Sequence, residues 1–215
     1  MTHGYSARQV RDAEAPLLAA GVPLMQRAAA GLAREIRSLS PVRILVLAGG
    51  GNNGADALFA AAELAEGGTD VAVVTPSADT HAEALSAALA AGAVVHPAGQ
   101  APALAASADL VVDGILGTGT SADPSLRGTA RDVVEALLAV EGLPPVVAVD
   151  IPSGIGPSDG AVPDLCVLRA AVTVTFGGVK AGLLVEPGAS FAGDVRLVDI
   201  GLGDELARVD PVVTR

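Results

Sequence analysis

Ile44-Leu45-Val46-Leu47-Ala48-Gly49-Gly50-Gly51-Asn52-Asn53-Gly54-Ala55-Asp56 is the stretch that decides the fold of this chain. Four large apolar residues run into glycines, and a helix-like segment, 57–66, follows. A strand that breaks into glycines and then a helix is how α/β proteins bring backbone N–H groups up to a phosphate. Glycine permits the close approach because no Cβ stands in the way. The adjacent amides Asn52 and Asn53 and the carboxylate of Asp56 add side-chain oxygens suited to a hydroxyl-rich ligand or a hard cation. The spacing is not G-x-G-x-x-G and lacks the Lys-Ser/Thr ending of a P-loop, so it indicates a nucleotide-sized ligand without identifying one.

Outward from that turn, short apolar runs alternate with helical patterning. Strands are expected at 43–47, 70–75, 93–96, 110–112, 146–149, 172–176 and 195–198, and helices between them at 56–66, 80–90, 101–106 and 128–140. Continuous apolar strands separated by helices indicate a mostly parallel sheet covered on both faces. The last two strands have no helical segment between them, so an antiparallel pair or hairpin edge is expected there. Val10, Ala13, Leu17 and Leu18, then Leu24, Met25, Ala28, Ala29, Leu32 and Ile36, recur near a helical period. They predict two helices ahead of the first strand, with a break before Pro23. The first of them, about 6–20, stands outside the strand–helix repeat and is assigned to packing or oligomerisation.

The 215 residues, 51% of them hydrophobic, suffice for one α/β domain with a full core. A net charge of −11 with no Trp, one Tyr and three Phe argues against nucleic acid, which selects for cations and stacking rings. The lone Cys166 excludes an internal disulfide and a cysteine-based zinc site, and reads as a small apolar filler. His3, His81 and His96 show no metal-ligand spacing. No run approaches the roughly 20 apolar residues that span a bilayer. The N-terminus has neither the basic nor the apolar segment of a secretory signal, so no membrane partner and a cytoplasmic location are expected.

Ligands of open parallel sheets bind beyond the carboxyl ends of the strands, so other strand ends should also be polar. Asp113-Gly114-Ile115-Leu116-Gly117-Thr118-Gly119-Thr120 follows one strand, and Asp150-Ile151-Pro152-Ser153-Gly154 follows another. Asp113 and Asp109 also suit capping or turn roles. Asp150, at a strand terminus, is placed to act as a general acid or base, with Ser153 offering oxygens to a cation or ligand. A further strand ends in Phe176-Gly177-Gly178-Val179-Lys180, and Lys180 is the only lysine in the chain. An ammonium there suits holding a phosphate or tuning Asp150.

Together these segments resemble the NAD(P)H-hydrate epimerase family, the YjeF N-terminal domain. Its motifs are matched in order by Leu24-Met25-Gln26-Arg27-Ala28-Ala29, Gly49 to Asp56, Asp113 to Gly119, Asp150 to Gly154 and Thr175 to Gly182. Gly193-Asp194 and Asp199-Ile200-Gly201 look like the family's last strand. The resemblance implies a three-layer αβα Rossmann-like sandwich, often dimeric. It also implies an isomerase of cofactor repair that interconverts the R and S epimers of NADH or NADPH hydrated at C6 of the nicotinamide ring (NADHX and NADPHX). By the same resemblance, Asn52, Asn53, Gly54, Ala55 and Asp56, with Gly117, Thr118, Gly119, Thr120, Ser121, Ala122 and Asp123, contact the dinucleotide. Asn53, Asp113 and Ser153 bind a potassium ion, and Asp150 sits against the substrate. The chemistry of a hemiaminal carbon, which needs an acid and a base, then assigns that work to Asp150, with Lys180 adjusting its protonation or binding the leaving oxygen.

Ala55 stands where the family has the second glycine of Asn-Asn-Gly-Gly-Asp, and Ala57 where it commonly has glycine. Their methyls would narrow the pocket if either position needed positive φ. Gly156 to Gly160 replaces a usually acidic run. Many bacterial relatives carry a fused dehydratase domain, so two readings stand open, a stand-alone epimerase or one half of a longer enzyme with a dehydratase domain or partner. Two other readings compete: a noncatalytic nucleotide-binding module for sensing or partner recruitment, and a generic Rossmann-like sugar-phosphate or dinucleotide oxidoreductase. The second lacks the acidic residue expected after a second strand.

Overall fold

The structure, a computed structural model, describes residues 1–77, 79–119 and 123–215. In chain order the elements are β1 (His3–Tyr5), α1 (Ala7–Ala19), α2 (Leu24–Ser38), β2 (Arg43–Ala48), α3 (Asn52–Glu66), β3 (Asp70–Val74), α4 (Ala82–Ala90) and β4 (Val94–His96). They continue with α5 (Ala101–Ala105), β5 (Leu110–Gly114), α6 (Gly128–Leu138), β6 (Val146–Val149), β7 (Val172–Phe176), β8 (Val179–Lys180), α7 (Ala189–Ala192), β9 (Asp194–Val198), α8 (Gly203–Leu206) and β10 (Val213–Thr214).

The main sheet has seven strands in the order β4-β3-β2-β5-β6-β7-β9. Alternation along β2 shows how it is covered. Ile44 and Val46 join the core formed with Leu32 and Ile36 of α2 and Leu58 and Leu64 of α3. Leu45 and Leu47 join the opposite core with Ala101 and Ala105 of α5 and Val133 and Leu137 of α6. Successive side chains of a strand point to opposite faces, so a run of apolar residues buried on both sides requires a layer of helices on each. The expected three-layer αβα sandwich is what forms.

The last two strands depart from expectation. β7 and β9 pair in parallel, Val172 with Asp194 through Phe176 with Val198. The intervening chain does not turn back as a hairpin. It leaves the sheet at Gly177, forms β8, a short 3-10 turn (Ala181–Leu183) and α7, and re-enters at the opposite end, where Asp194 pairs with Val172. That segment is the crossover that a parallel pair needs, although no single helix in it is long enough to read from periodicity.

A second sheet, unanticipated from sequence, has the order β10-β1-β8. β1 runs antiparallel to β10 and parallel to β8, with Tyr5 in register with Lys180. α1 starts directly after β1 with a capping box: the Gln9 amide donates to Ser6 Oγ at 3.2 Å, and Gln9 Oε1 accepts from the Ser6 amide at 2.8 Å. Fastening β1 beside β8 therefore also fixes where α1 lies. Other boundaries moved slightly. α3 takes in Asn52 to Ala55 because Gly51 is its N-cap, and α4 begins at Ala82 because the His81 ring accepts from the Ala84 amide. Among the described residues no helix is long and apolar enough to cross a membrane.

Candidate active site

The order of the main sheet reverses at β2. From it the chain builds β3 and β4 outward on one side, then returns to lay β5 on the other. The loops after β2 and β5 thus diverge and leave a crevice at the carboxyl ends, where such sheets bind ligands. These are the turns of Gly49 to Asp56 and Asp113 to Gly119. They meet closely: a Cβ on Gly49 would stand 1.9 Å from the Ile115 carbonyl oxygen, and one on Gly117 2.8 Å from Asn53 Oδ1. Glycine at these two positions is required by contact with the opposite loop.

A cavity of about 360 Å³ opens there. Asn52, Asn53 and Asp56 line it from α3, and Gly117, Thr118 and Gly119 from the loop after β5. Asp150 and Lys180 complete its polar wall, and Leu18, Met25 and Phe176 supply apolar surface. Gly54 and Ala55 are buried behind this wall and do not line the cavity. Asp123 is exposed and accepts hydrogen bonds from the Ser125 amide and from Arg127. Thr120, Ser121 and Ala122 lie outside the described residues.

Asp150 ends β6 with φ of 67°, a left-handed conformation that Asp tolerates better than most residues and that is found at functional sites. Its amide donates to the Val174 carbonyl at 2.7 Å, which holds the turn beside β7. Its carboxylate accepts from Thr175 Oγ1 at 3.1 Å and from the Phe176 amide at 3.4 Å, and it is ion-paired with Lys180. Lys180 also donates to the Phe176 carbonyl at 2.8 Å.

Behind the cavity, Asp113 and Ser153 form a second polar cluster. Asp113 accepts from the Ser153 amide at 2.9 Å, from Ser153 Oγ at 2.6 Å and from the Ile115 amide at 3.3 Å. Ser153 Oγ accepts from the Leu116 amide at 2.8 Å, and Asn53 Nδ2 donates to the Leu116 carbonyl at 3.0 Å. Burial pushes the Asp113 carboxyl above its ordinary value, and the two Ser153 hydrogen bonds oppose that shift. The Asp113 carboxyl, the Ser153 hydroxyl and the Leu116 carbonyl, with the Asn53 amide beside them, gather oxygen donors and no nitrogen or sulfur ligand. That chemistry fits a hard monovalent cation.

Three other carboxyl-bearing positions deserve comparison. Asp56 Oδ1 is buried and has no hydrogen-bond partner among the described residues. Burial, then the neighbouring Asp150, push Asp56 up to about 8. Glu14 of α1, also on the cavity wall, is raised by burial, with Lys180 opposing. Arg11 of the same helix donates to the Thr118 carbonyl at 2.9 Å, tying α1 to the loop after β5. Asp109 lies away from the site, held below its ordinary value by the Arg43 and Val42 amides. Sequence reasoning did not assign Arg11 and Glu14 to the site. Their only signal is that polar residues fall at helical spacing beside Leu18 on a helix given no other role.

Ala55 and Ala57 both sit within α3, and neither has positive φ. Ala57 packs instead against Gly114, where an added Cβ would come within 2.6 Å of its methyl. In the departing run 156–160, Gly160 takes φ of 71° and Ser158 Oγ accepts from the Ala7 amide at 3.1 Å, so this segment anchors α1. Cys166 is buried and its thiol faces the Arg131 carbonyl at 3.8 Å.

Comparison with known proteins agrees with this architecture. The crystal structure of yeast ynu0 (YNL200c) superposes with a TM-score of 0.72 over 82% of this chain and 81% of that one, at 22% identity, a likeness of fold. The NAD(P)H-hydrate epimerase of Clavibacter michiganensis subsp. michiganensis is 53% identical over 98% of this chain and 94% of its own length. That of Microbacterium testaceum is 53% identical over 98% of this chain and 83% of its own length. The bifunctional NAD(P)H-hydrate repair enzyme Nnr of Mycobacterium tuberculosis is 42% identical over 98% of this chain, which spans 43% of that enzyme. The sequence pattern of YjeF-related protein N-termini matches residues 21–182. On that match and these identities, the chain belongs to the family of YjeF-related protein N-termini.

Proposed function

We propose that this chain is an isomerase of cofactor repair that interconverts the R and S epimers of hydrated NADH and NADPH at C6 of the nicotinamide ring. The relatives named NAD(P)H-hydrate epimerase at 53% identity support the reaction. The observation that carries it is the Asp150–Lys180 ion pair, set into the wall of a cavity at the strand-order reversal.

C6 of the hydrated ring bears a hydroxyl and is bonded to N1, so it is a hemiaminal carbon. The N1 lone pair expels the hydroxyl when that oxygen is protonated, leaving a planar iminium ion. Water that adds to the opposite face inverts the centre once it has lost a proton. In this reading Asp150 is the group that exchanges protons with the C6 oxygen. Lys180 and the Thr175 hydroxyl hold its carboxylate in one orientation, so no reorganisation is needed as charge moves. The amides of the glycine turn and the first turn of α3 receive the pyrophosphate. Asn52, Asn53, Gly54, Ala55 and Asp56 with residues 117–123 form the dinucleotide-binding segments.

Asn53, Asp113 and Ser153 would hold a potassium ion. Its charge would offset the burial of Asp113 and fix the loops after β5 and β6 relative to α3. A homodimer and a cytoplasmic location complete the reading. Edge strand β4, with Val94 and Val95 exposed, supports a self-association surface. The bifunctional mycobacterial relative supports coupling to a second repair activity, which the family resemblance makes a dehydratase.

The test is time-resolved separation of the R and S epimers of NADHX after adding purified protein with potassium. The expected result is acceleration over the spontaneous rate, reduced about 100-fold or more in Asp150→Asn. Retained epimerisation in a folded Asp150→Asn protein would remove Asp150 from this role.

A further inference from the structure

Three carboxyl groups, Glu14, Asp56 and Asp150, share the cavity with a single ammonium, Lys180. The ion pair with Asp150 takes up that ammonium, and the Thr175 hydroxyl and the Phe176 amide also donate to Asp150. Asp56 has no such donor, and the effect of Lys180 on it is smaller than that of burial. Its Oδ1 is buried with no hydrogen-bond partner among the described residues, while the residue lines the cavity. A carboxyl oxygen buried without a donor favours the protonated form of its group. Arg11, the other cation on the cavity wall, is engaged with the Thr118 carbonyl.

One carboxyl group ion-paired with an ammonium and another buried without a donor, in one cavity, suit a base and an acid. Inversion at a hemiaminal carbon needs both, because one oxygen must gain a proton as it leaves and another must lose one as it arrives. We propose that Asp56 is a catalytic residue, the proton donor to the departing C6 hydroxyl, with Asp150 as the acceptor of the proton from the incoming water. This rests on the epimerase reading above and divides the acid–base work there given to Asp150 alone.

The step balances. The Asp56 proton passes to the C6 hydroxyl, the C6–O bond breaks, and water leaves as the N1 lone pair forms the C6=N1 bond. A second water bonds to C6 through an oxygen lone pair, the C6=N1 electrons return to N1, and the water's proton goes to Asp150. One turnover moves one proton from Asp56 to Asp150. The reverse epimerisation uses Asp150 as donor and Asp56 as acceptor, and exchange with solvent through the cavity mouth resets the pair.

The burial that keeps Asp56 protonated holds it up to about 8, so catalysis through it should fail above that pH. Asp150, Lys180 and Glu14 are the charged groups that set this value. The experiment is kcat for NADHX epimerisation, corrected for the spontaneous rate, from about pH 6 to about pH 10 in wild type, Asp56→Asn and Asp56→Glu. Wild-type kcat should fall roughly tenfold per pH unit beyond about 8. Asp56→Asn should lose about 100-fold or more in kcat and show no such alkaline limb, with KM changed less than about threefold. Asp56→Glu, which keeps an ionisable proton, should recover part of kcat together with the limb.

A flat wild-type profile through that range overturns the proposal without recourse to any variant. So does Asp56→Asn that keeps more than about a tenth of kcat. A wild-type protein that binds the cofactor and does not accelerate epimerisation overturns the epimerase reading itself. An active wild type with an unaffected Asp56→Asn overturns only the role of Asp56.

Discussion

Phe176 binds both members of the buried ion pair: its carbonyl accepts from Lys180 Nζ at 2.8 Å, and its amide donates to Asp150 Oδ1 at 3.4 Å. The Lys180 and Asp150 side chains are 2% and 9% exposed, so each charge depends chiefly on the other for its neutralisation. The end of β7 thus presents one acceptor and one donor to the only lysine of the chain and to its carboxylate. The pair is strong as a unit and costly to halve.

Lys180→Met should therefore destabilise the fold by about 3–5 kcal/mol, because it strands Asp150 in a poorly solvated wall. The double variant Lys180→Met, Asp150→Asn should recover a large part of that loss, since the amide needs no counterion. Urea unfolding of wild type, both single variants and the double variant measures the coupling. A loss below about 1 kcal/mol in Lys180→Met would mean that water reaches Asp150 after all.

Asp56 makes stability depend on pH in a defined direction. Its carboxyl is raised in the fold from the ordinary 3.8 to about 8, so the folded chain holds a proton that the unfolded chain releases. Stability from this group is intact below the ordinary value, falls as the pH climbs through the interval, and is fully lost above about 8. Asp56→Asn removes the titration. Its Tm should exceed that of wild type by a margin that grows with pH and levels off above about 8, worth of order a few kcal/mol. Parallel melting curves at acid, neutral and alkaline pH check this, and a constant margin would refute it.

The glycines of the turn differ in what they are for. A Cβ on Gly49 would stand 1.9 Å from the Ile115 carbonyl oxygen, whereas one on Gly51 meets nothing within 4 Å. Gly51 has φ of −93°, open to any residue. Gly49→Ala should cost about 1–3 kcal/mol or more, because backbone on the opposite loop has to shift. Gly51→Ala should cost less than about 1 kcal/mol. Thermal denaturation of the two variants gives the comparison, and equal losses would contradict the close approach of the loops after β2 and β5.

Potassium should act on stability as well as on activity. An ion held by Asn53, Asp113 and Ser153 binds the folded chain alone, and at about 100 times its Kd it adds about 2.7 kcal/mol. Melting in potassium chloride against tetramethylammonium chloride at equal ionic strength reads this directly. The increment should vanish in Asp113→Asn, and identical Tm values for wild type in the two salts would dismiss the site.

Much of the architecture was legible because parallel strands buried on both faces announce themselves as short apolar runs. Ile44 to Leu47, Leu110 to Val112 and Val146 to Val149 each read as strands, and each ends at residues that line or back the cavity. Strand-end logic also singled out Asp113, Asp150 and Lys180, and the structure brings the last two into contact. The small sheet was illegible because β1, β8 and β10 are too short for any periodicity to register. The parallel pairing of β7 with β9 was missed for a related reason, since its crossover is made of pieces shorter than a helical pattern requires. Helix α1 was visible as a helix, yet its place over the cavity follows from the pairing of Tyr5 with Lys180, far apart in the chain.

The sequence by itself determined the strand–helix alternation, the sheet edge at which polar residues collect, and the family to which the ordered motifs point. Those properties are local or nearly so: periodicity, turn chemistry and residue type at the end of an apolar run. Only the tertiary structure decided which of the clustered carboxyl groups is paired and which is buried without a donor. Asp150 gains an ammonium and two further donors from β7 and β8, while Asp56 gains burial with no partner for Oδ1. Desolvation and pairing are set by what surrounds a side chain in space. Two aspartates identical in sequence terms therefore become an ion-paired carboxylate and a carboxyl raised well above its ordinary value only when the chain is folded.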